Sequence, residues 1–468
     1  MPTKSVFKVS IASLICAIGL NVAADGHKVY GPQPVTVSGY TGSKTNSVSY
    51  TGQMARHVLH NSLKKIVSKS DSTEASKAKM MEYYGKADGR SIVSPATKGA
   101  FVVSPASVDA ISKGKDLRGK TYKGVITAFP DNMTGPEVVD FMIDKAANTN
   151  GGYDPLTGLD YTQLISKFLM GAVFYNQAVD NYLDEKLEAD NKPNNKPYKD
   201  GAAYTGKEHV WDEAFGYFGA PAHALTLTPA DVYNIAKQKE EAFGLADYNS
   251  DGEVDLYQEM TYAHAYYAAG FDKKGGTNYL ESIMTAFIEG RQLITDANGA
   301  ALTDGQRSQL KAYAKTIATN WEKVIAEAVF KYAGSTYKDL QKLQTIIESN
   351  GDASEAFRKY AKHWGELKGF SMALQVGGKD LGETAVKLNR MIGFSPVHLG
   401  GTQITGIDGY YNYTQGESET MGEYMIHMLK IQRLMADTYN LQAKANDQMA
   451  EMEGLVESLG ESVSAEND

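Results

Sequence analysis

The sequence is almost without cysteine. Of its 468 residues only Cys16 carries a thiol. That residue lies in an apolar stretch, Val9 to Leu20, preceded by Lys4 and Lys8 and followed by Val22-Ala23-Ala24. Basic end, apolar run and small-residue cleavage site together read as a secretory signal over residues 1–24. Ile15 is too large for the residue before a lipidated cysteine. Once residues 1–24 are removed no thiol is left, which excludes disulfides, a cysteine nucleophile and thiolate metal ligands. Long hydrophobic runs are also missing. No later segment approaches the ~18–20 apolar residues that cross a bilayer. Positive charge is in deficit as well. There are 47 Lys and Arg against 56 Asp and Glu, a net charge of −9, and loss of Lys4 and Lys8 takes it to −11. That balance argues against nucleic acid and suits cations. The sequence therefore predicts an exported, periplasmic, soluble protein that does not span a membrane. Tyrosine is abundant, 29 residues against 15 Phe. Such rings pack and hydrogen-bond at once, or line sugar- and peptide-binding surfaces.

What is present is organised around a signature that occurs twice. KEHVWDEAFGYFG runs from Lys207 to Gly219 and KHWGELKGFSMAL from Lys362 to Leu374. Both read Trp-x-Glu-x-x-Gly-aromatic, through Trp211, Glu213 and Gly216, then Trp364, Glu366 and Gly369. Each also contains His-x-x-acid, His209 with Asp212 and His363 with Glu366. On a helix, residues three apart share a face, so each copy would present an imidazole and a carboxylate together. That pairing suits a metal ion or an acid–base site. The other reading is a packing helix that buries its Trp and Phe and solvates its His and acid. A long helix precedes each copy. From Phe174 to Trp211 is 37 residues, and from Phe330 to Trp364 is 34. Duplication of a helical unit is the simplest cause.

The chain divides into a lead-in with two short helices and an irregular segment (25–133), a first helical half (134–300) and a second (301–468). Apolar spacing predicts helices over 49–68, 74–84, 160–187, 308–333 and 417–459. Pro136 and Glu137 mark a helix start after Thr134. His57 and His60 fall beside an apolar stripe. Residues 86–134 are left as a small strand pair or a wrapping loop, and Gly393 to Gln415 as an ordered loop. The fold class is mainly α: a two-repeat helical bundle with an EF-hand-like loop between the halves and an irregular amino-terminal region.

That loop, 247–259, is the most specific local pattern. DYNSDGEVDLYQE places oxygen-bearing side chains at positions 1, 3, 5 and 9, namely Asp247, Asn249, Asp251 and Asp255. Gly252 takes the sharp turn, Glu253 offers its carbonyl, and Val254 is apolar. A hard cation needs six or seven oxygens, and alternate residues of a tight loop supply them. Position 12 is Gln258, so either Gln258 closes the site as a weak ligand or Glu259, one residue late, reaches in. Calcium is the expected ion, flanked by helices over 229–244 and 256–270. If cleavage falls after Ala24, the new terminus Asp25-Gly26-His27 offers square-planar nitrogen ligands, His27 included, for copper or nickel.

WDEAFGYFG after a tyrosine-rich helix, then HWGELKGFSMALQ, resembles an uncharacterised family of exported bacterial proteins, domain of unknown function 4856. The resemblance runs from the SYTGQMARHVL region to the last helix. More distantly, two helical halves with His-x-x-Glu are similar to the imelysin family, exported paired bundles linked to iron uptake, alginate binding and a disputed metallopeptidase activity. That family's Gly-x-His-x-x-Glu is met at His363 and Glu366, with Ala361 in place of Gly. The first copy has Lys207 at that position and Asp212 in place of Glu.

The expected function is a non-catalytic, metal-handling binding protein. Its metal is iron or zinc at His209, Asp212, Glu213, His363 and Glu366, it carries a structural calcium loop, and its partners are metal ions and periplasmic or outer-membrane uptake proteins. The alternative is a helical scaffold for a glycan, peptide or protein partner, in which the signatures are packing elements. A metallopeptidase would need a third ligand and an open coordination position, and no His-Glu-x-x-His occurs.

Overall fold

Threonine caps start five of the helices in the same way. Thr134, Thr205, Thr228, Thr303 and Thr420 each open a helix in a capping box, answered three residues on by Glu137, Glu208, Asp231, Gln306 and Glu423. Hydroxyl and carboxyl thereby satisfy backbone amides that the first turn leaves free. In the computed structural model, which describes residues 27–127, 129, 132–188, 191–376, 381–452 and 454, the outcome is a mainly helical bundle. The expected signal segment 1–24 lies outside the described residues.

The helices are α1 (Thr51–Val67), α2 (Glu74–Tyr84), α3 (Val108–Ile111), α4 (Gly135–Ala147), α5 (Tyr161–Leu169), α6 (Gly206–Phe218), α7 (Pro229–Ala236), α8 (Phe243–Ala246), α9 (Ala263–Asp272), α10 (Tyr279–Asp296), α11 (Asp304–Glu348), α12 (Ser354–Ala373), α13 (Glu383–Ile392) and α14 (Met421–Tyr439). Three small strand pairs decorate them. β1 (Val103–Ser104) lies parallel to β4 (Val254–Asp255). β2 (Val125–Ile126) is antiparallel to β3 (Met133–Thr134), and β5 (Thr402–Ile407) to β6 (Tyr413–Glu417). The spine is α11, which at 1.5 Å per residue is about 68 Å long and packs against α10, α12, α14 and α9. One continuous core runs from Tyr30 to Leu441 and joins the two halves. His57 and His60 belong to it. Burial pushes both imidazoles down to about 3, and their Nε2 atoms meet the carbonyls of Gly216 and Ser166.

Several elements differ from expectation, each for a visible reason. The helix expected over 160–187 is α-helical only to Leu169, then widens into π-helical turns, Met170–Tyr175 and Gln177–Tyr182. The Tyr122 amide donates to the Ala172 carbonyl at 2.7 Å, and Gly171 sits hard against Ala373. An inserted partner of this kind is what opens a helical ladder. The last helix stops at Tyr439 rather than 459, with Asn440 left-handed at φ 49°. The chain turns there because buried Glu327 accepts the amides of Gln442, Ala443 and Lys444 at 2.7–3.0 Å. Residues 402–417 form the β5–β6 hairpin rather than a loop. Helix α11 extends from 304 to 348, well past the expected 308–333.

Both signature helices use their glycines for close approach. A Cβ on Gly216 would lie 2.8 Å from the Cβ atoms of Tyr50 and Gln53 on the α1 side, and one on Gly369 would lie 2.6 Å from the Lys167 Cβ of α5. Gly369→Ala is therefore expected to destabilise by about 1–3 kcal/mol through overpacking. Gly400→Ala, where nothing lies within 4 Å, should change stability by less than about 0.5 kcal/mol. Urea unfolding of the two variants checks the contrast.

Candidate functional site

The structure separates the histidine–acid pairs that the spacing had joined. On α6, Asp212 points into the core and His209 does not. Asp212 Oδ1 accepts from Arg291 Nε at 2.9 Å and from the Tyr30 hydroxyl at 2.7 Å, while its Oδ2 accepts the Ser49 amide at 2.8 Å. The same guanidinium reaches Glu208 at 3.2 Å and the Ser47 hydroxyl at 2.7 Å. The two buried carboxylates share one arginine, and the oxygens of Asp212 already face protein donors. On α12, His363 turns to Asp339 of α11 at 2.5 Å, with Lys359 also on Asp339 at 3.3 Å. Glu366 faces the other way. It accepts from the Tyr332 hydroxyl at 3.1 Å and lies 3.8 Å from the ammonium of buried Lys167. Residues three apart on a helix are offset by about 60° around its axis, enough for opposite neighbours to claim them. Among the described residues no group of three or more His, Cys, Asp or Glu forms a metal centre.

Both tryptophans are core elements. Trp211 Nε1 donates to the Phe287 carbonyl at 2.8 Å, and Trp364 Nε1 to the Tyr424 hydroxyl at 2.8 Å. The aromatic half of each signature is thus accounted for by packing.

The loop 247–259 adopts a tight oxygen-rich turn. Gly252 has φ +89°, and Asp247 accepts the amides of Asp251 and Gly252 at 3.1 and 3.0 Å. Asn249 and Asp251 accept the next alternate amides, those of Asp251 and Glu253, at 2.9 and 3.0 Å. Glu259, not Gln258, turns inward. It accepts the amides of Tyr248, Asn249 and Asp255. Burial and the neighbouring carboxylates push Asp255 up to about 6 and Glu259 upward. Val254 sits in the β1–β4 pair, opposite Val103. The flanking helices differ from those expected: α7 ends at Ala236 and the short α8 runs into Asp247, while the next helix starts only at Ala263. Glu253 is exposed. His27 is exposed too, and Asp25 and Gly26, which the amino-terminal copper or nickel site would also need, lie outside the described residues.

The remaining members of the signature, His209 and Glu213, open into a polar cleft of about 350 Å³. The start of α1 brings Gln53 and Arg56 to it, the irregular segment Lys115 and Lys120, and the end of the π-helical stretch Tyr182 and Lys186. The loop before α6 adds Tyr198, Lys199 and Tyr204. The His209 ring stacks on Tyr204 at 4.5 Å and meets the edge of Tyr198 at 4.2 Å. Its Nδ1 is buried without a partner, and burial lowers its pKa even though Glu213 lies 3.8 Å away. Glu213 accepts from Gln53 at 2.7 Å. Five cationic side chains therefore face one carboxylate. Among the described residues, none of Lys115, Lys120, Lys186 and Lys199 forms an ion pair. Burial, and then the neighbouring cations, lower the pKa values of Lys115 and Lys120. Burial also lowers that of Lys186, against the pull of Glu213. The cleft therefore carries more cationic than anionic side chains. A larger cavity, about 800 Å³, lies between α10 and the chain at His27, but it is mostly apolar and its charged lining is mainly acidic, Glu281, Glu289 and Asp296 against Lys28.

Of these cleft residues the sequence reading had only His209 and Glu213. The run Tyr198-Lys199 to Tyr204 was a legible signal, tyrosine and lysine interleaved ahead of a capping box. Arg56, Lys115 and Lys120 arrive from distant segments and carry no local pattern.

Fold and cleft define an all-helical bundle protein with a basic, tyrosine-lined recess. The chain belongs to the family described as a domain of unknown function (DUF4856), which it matches over residues 40–385. No curated protein and no solved structure matches it.

Because one arginine holds two buried carboxylates, Arg291→Met should cost about 3–5 kcal/mol. Adding Asp212→Asn to that variant should recover part of the loss by removing one stranded charge. Chemical denaturation of the single and double variants measures both.

Proposed function

We propose that the protein is an exported, non-catalytic binding protein whose ligand is a small organic anion with a sugar-like face, held in the cleft of His209 and Glu213. The observation that carries this is the set of unpaired lysines around an aromatic stack. Lys115, Lys120, Lys186 and Lys199 supply charge-assisted hydrogen bonds. The Tyr204–His209 stack offers a flat apolar face with polar edges, and Glu213 with Gln53 can accept hydroxyl protons. A carboxylate-bearing sugar meets all three demands. Of the two functions read from the sequence, this develops the scaffold reading. Transition-metal handling is disfavoured because Asp212 and His363 already have other partners.

Isothermal titration of the full chain with glucuronate, and with glucose as the uncharged control, tests it. Glucuronate should bind with marked salt dependence and glucose far more weakly. Lys115→Gln with Lys120→Gln should weaken glucuronate binding at least about tenfold, since a hydrogen bond to a charged group contributes ~1.5–3 kcal/mol. Affinity should fall as pH rises, and begin to fall below the ordinary lysine value of ~10.4, because the depressed ammonium groups lose their protons early. Equal binding of the two sugars, or no change in the double variant, would sink the proposal.

The loop 247–259 supports a second, structural role, calcium binding through Asp247, Asn249, Asp251, Asp255 and Glu259. Its crowded carboxylates, two of them raised in pKa, are the kind of site a divalent cation relieves. Calcium at about 100 times its dissociation constant should add roughly 2.7 kcal/mol of stability, and Asp251→Ala should abolish that gain. A thermal midpoint indifferent to calcium and to chelator would refute it.

A further inference from the structure

A second recess, away from His209, gathers lysines with no acid in its wall. It measures about 220 Å³ and is lined by Tyr233, Tyr266, Tyr267, Lys273, Lys274 and Lys331, with Asn446 at one edge. Lys237 stands beside it, its ammonium 5.0 Å from the Tyr266 ring centre, and the Lys273 ammonium sits 3.1 Å above the Tyr233 ring. Among the described residues none of Lys237, Lys273, Lys274 and Lys331 is in an ion pair. Lysines at helix C-termini offset the helix dipole. That accounts for Lys237 after α7 and Lys273 after α9. It does not account for Lys331, in the middle of α11 and largely buried.

The tyrosine protons can be traced. Tyr332 donates to Glu366 at 3.1 Å, so the 3.2 Å contact between the Tyr267 and Tyr332 hydroxyls is filled by the Tyr267 proton. Tyr266 donates to Tyr233 at 3.3 Å. The Tyr233 hydroxyl is then the one whose proton is left for a ligand. The rings of Tyr233 and Tyr266 stack at 4.8 Å, which fixes that hydroxyl beside the ammonium groups.

We propose that this recess is a second ligand site, for a doubly charged oxyanion of the phosphate or phosphate-monoester class. Lys331 forms the floor, Lys237, Lys273 and Lys274 the rim, and the Tyr233 hydroxyl an oriented donor. Several ammonium groups converging without a carboxylate favour a dianion over a monocarboxylate, which one or two cations satisfy. Burial, opposed only in part by Glu366, lowers the Lys331 pKa, and Lys237, Lys274 and Lys273 lower it further. A bound dianion removes that mutual repulsion. The site shares no residue with the cleft of the proposed function and stands or falls separately.

The test is isothermal titration of the full chain with inorganic phosphate and with glycerol 1-phosphate, at constant ionic strength set by chloride. At least one should bind saturably, and which one binds more tightly identifies free phosphate or an ester as the source. Lys237→Gln with Lys273→Gln changes two rim side chains at helix C-termini and should lower the thermal midpoint in chloride only slightly, while weakening the bound anion by about tenfold or more. Tyr233→Phe should weaken it with the fold intact, and Lys115→Gln in the other cleft should not. Absence of saturable binding to both anions, or full affinity retained in the lysine double variant, overturns the assignment.

Discussion

The guanidinium of Arg291 is the interaction on which the first half of the molecule turns. It is fully buried on α10 and binds Asp212 and Glu208 of α6 together with Ser47 of the lead-in. Three segments distant in sequence are thereby fixed at one point. A buried charge is tolerated only when paired and hydrogen-bonded, and Arg291 meets that condition with five donors in a planar fork. The Tyr30 and Ser49 contacts to Asp212 complete the set. Because Asp212 is committed inward, the face of α6 carrying His209 and Glu213 is committed outward. The cleft exists because the core behind it is closed.

The signature Trp-x-Glu-x-x-Gly accordingly divides into parts with different duties. Tryptophan and glycine are packing: the indole fills the core and the missing Cβ lets another helix approach. The glutamate is electrostatic. Glu213 is the one acid in a basic cleft, and Glu366 is held between Lys167 and the Tyr332–Tyr267 hydroxyl pair. Each is an acid set among lysines and tyrosines. Gln53 donates to Glu213 and Tyr332 to Glu366, so each carboxylate has one protein donor directed at it.

Much of the fold was legible in the sequence. The start of α4 followed from Pro136 and Glu137 after Thr134, and α1 falls where 3.6-residue periodicity places it. The misses share a cause. Tyr122 opening the 160–187 helix, Glu327 reversing the chain after Tyr439, and Arg291 claiming Asp212 are all contacts across 50 or more residues. Local spacing carries no trace of them. For His209 with Asp212 and His363 with Glu366, the spacing placed both residues on neighbouring rows of a helix but could not say that different partners flank those rows. The oxygen-rich turn was readable in sequence because its contacts are local, Asp247, Asn249, Asp251 and Asp255 each meeting an amide two to five residues on. Glu259 replacing Gln258 as the inward residue could be anticipated from the one-residue offset. The lysine-lined cleft was not readable, because its cations come from four separate segments.

The distribution of charge bears on what such a protein can recognise. The chain is acidic overall at −9, yet the recess at His209 and the one at Lys331 are both lined by lysine and tyrosine. An acidic exterior repels anions at long range, and at ~0.15 M salt that repulsion fades beyond about 8 Å. Inside a narrow recess, low-dielectric walls keep the lysine field from being screened. Capture of the proposed anions would then depend on contact, not on steering. It would favour ligands small enough to enter and polar enough to use the tyrosine hydroxyls, and work against large polyanions, which would meet the acidic surface first. The same arithmetic explains why desolvated lysines persist without counter-ions. The energetic cost of holding several ammonium groups together in the free protein is the part of the binding free energy that an anion recovers on entry, so a site of this kind is strained when empty and relaxed when filled.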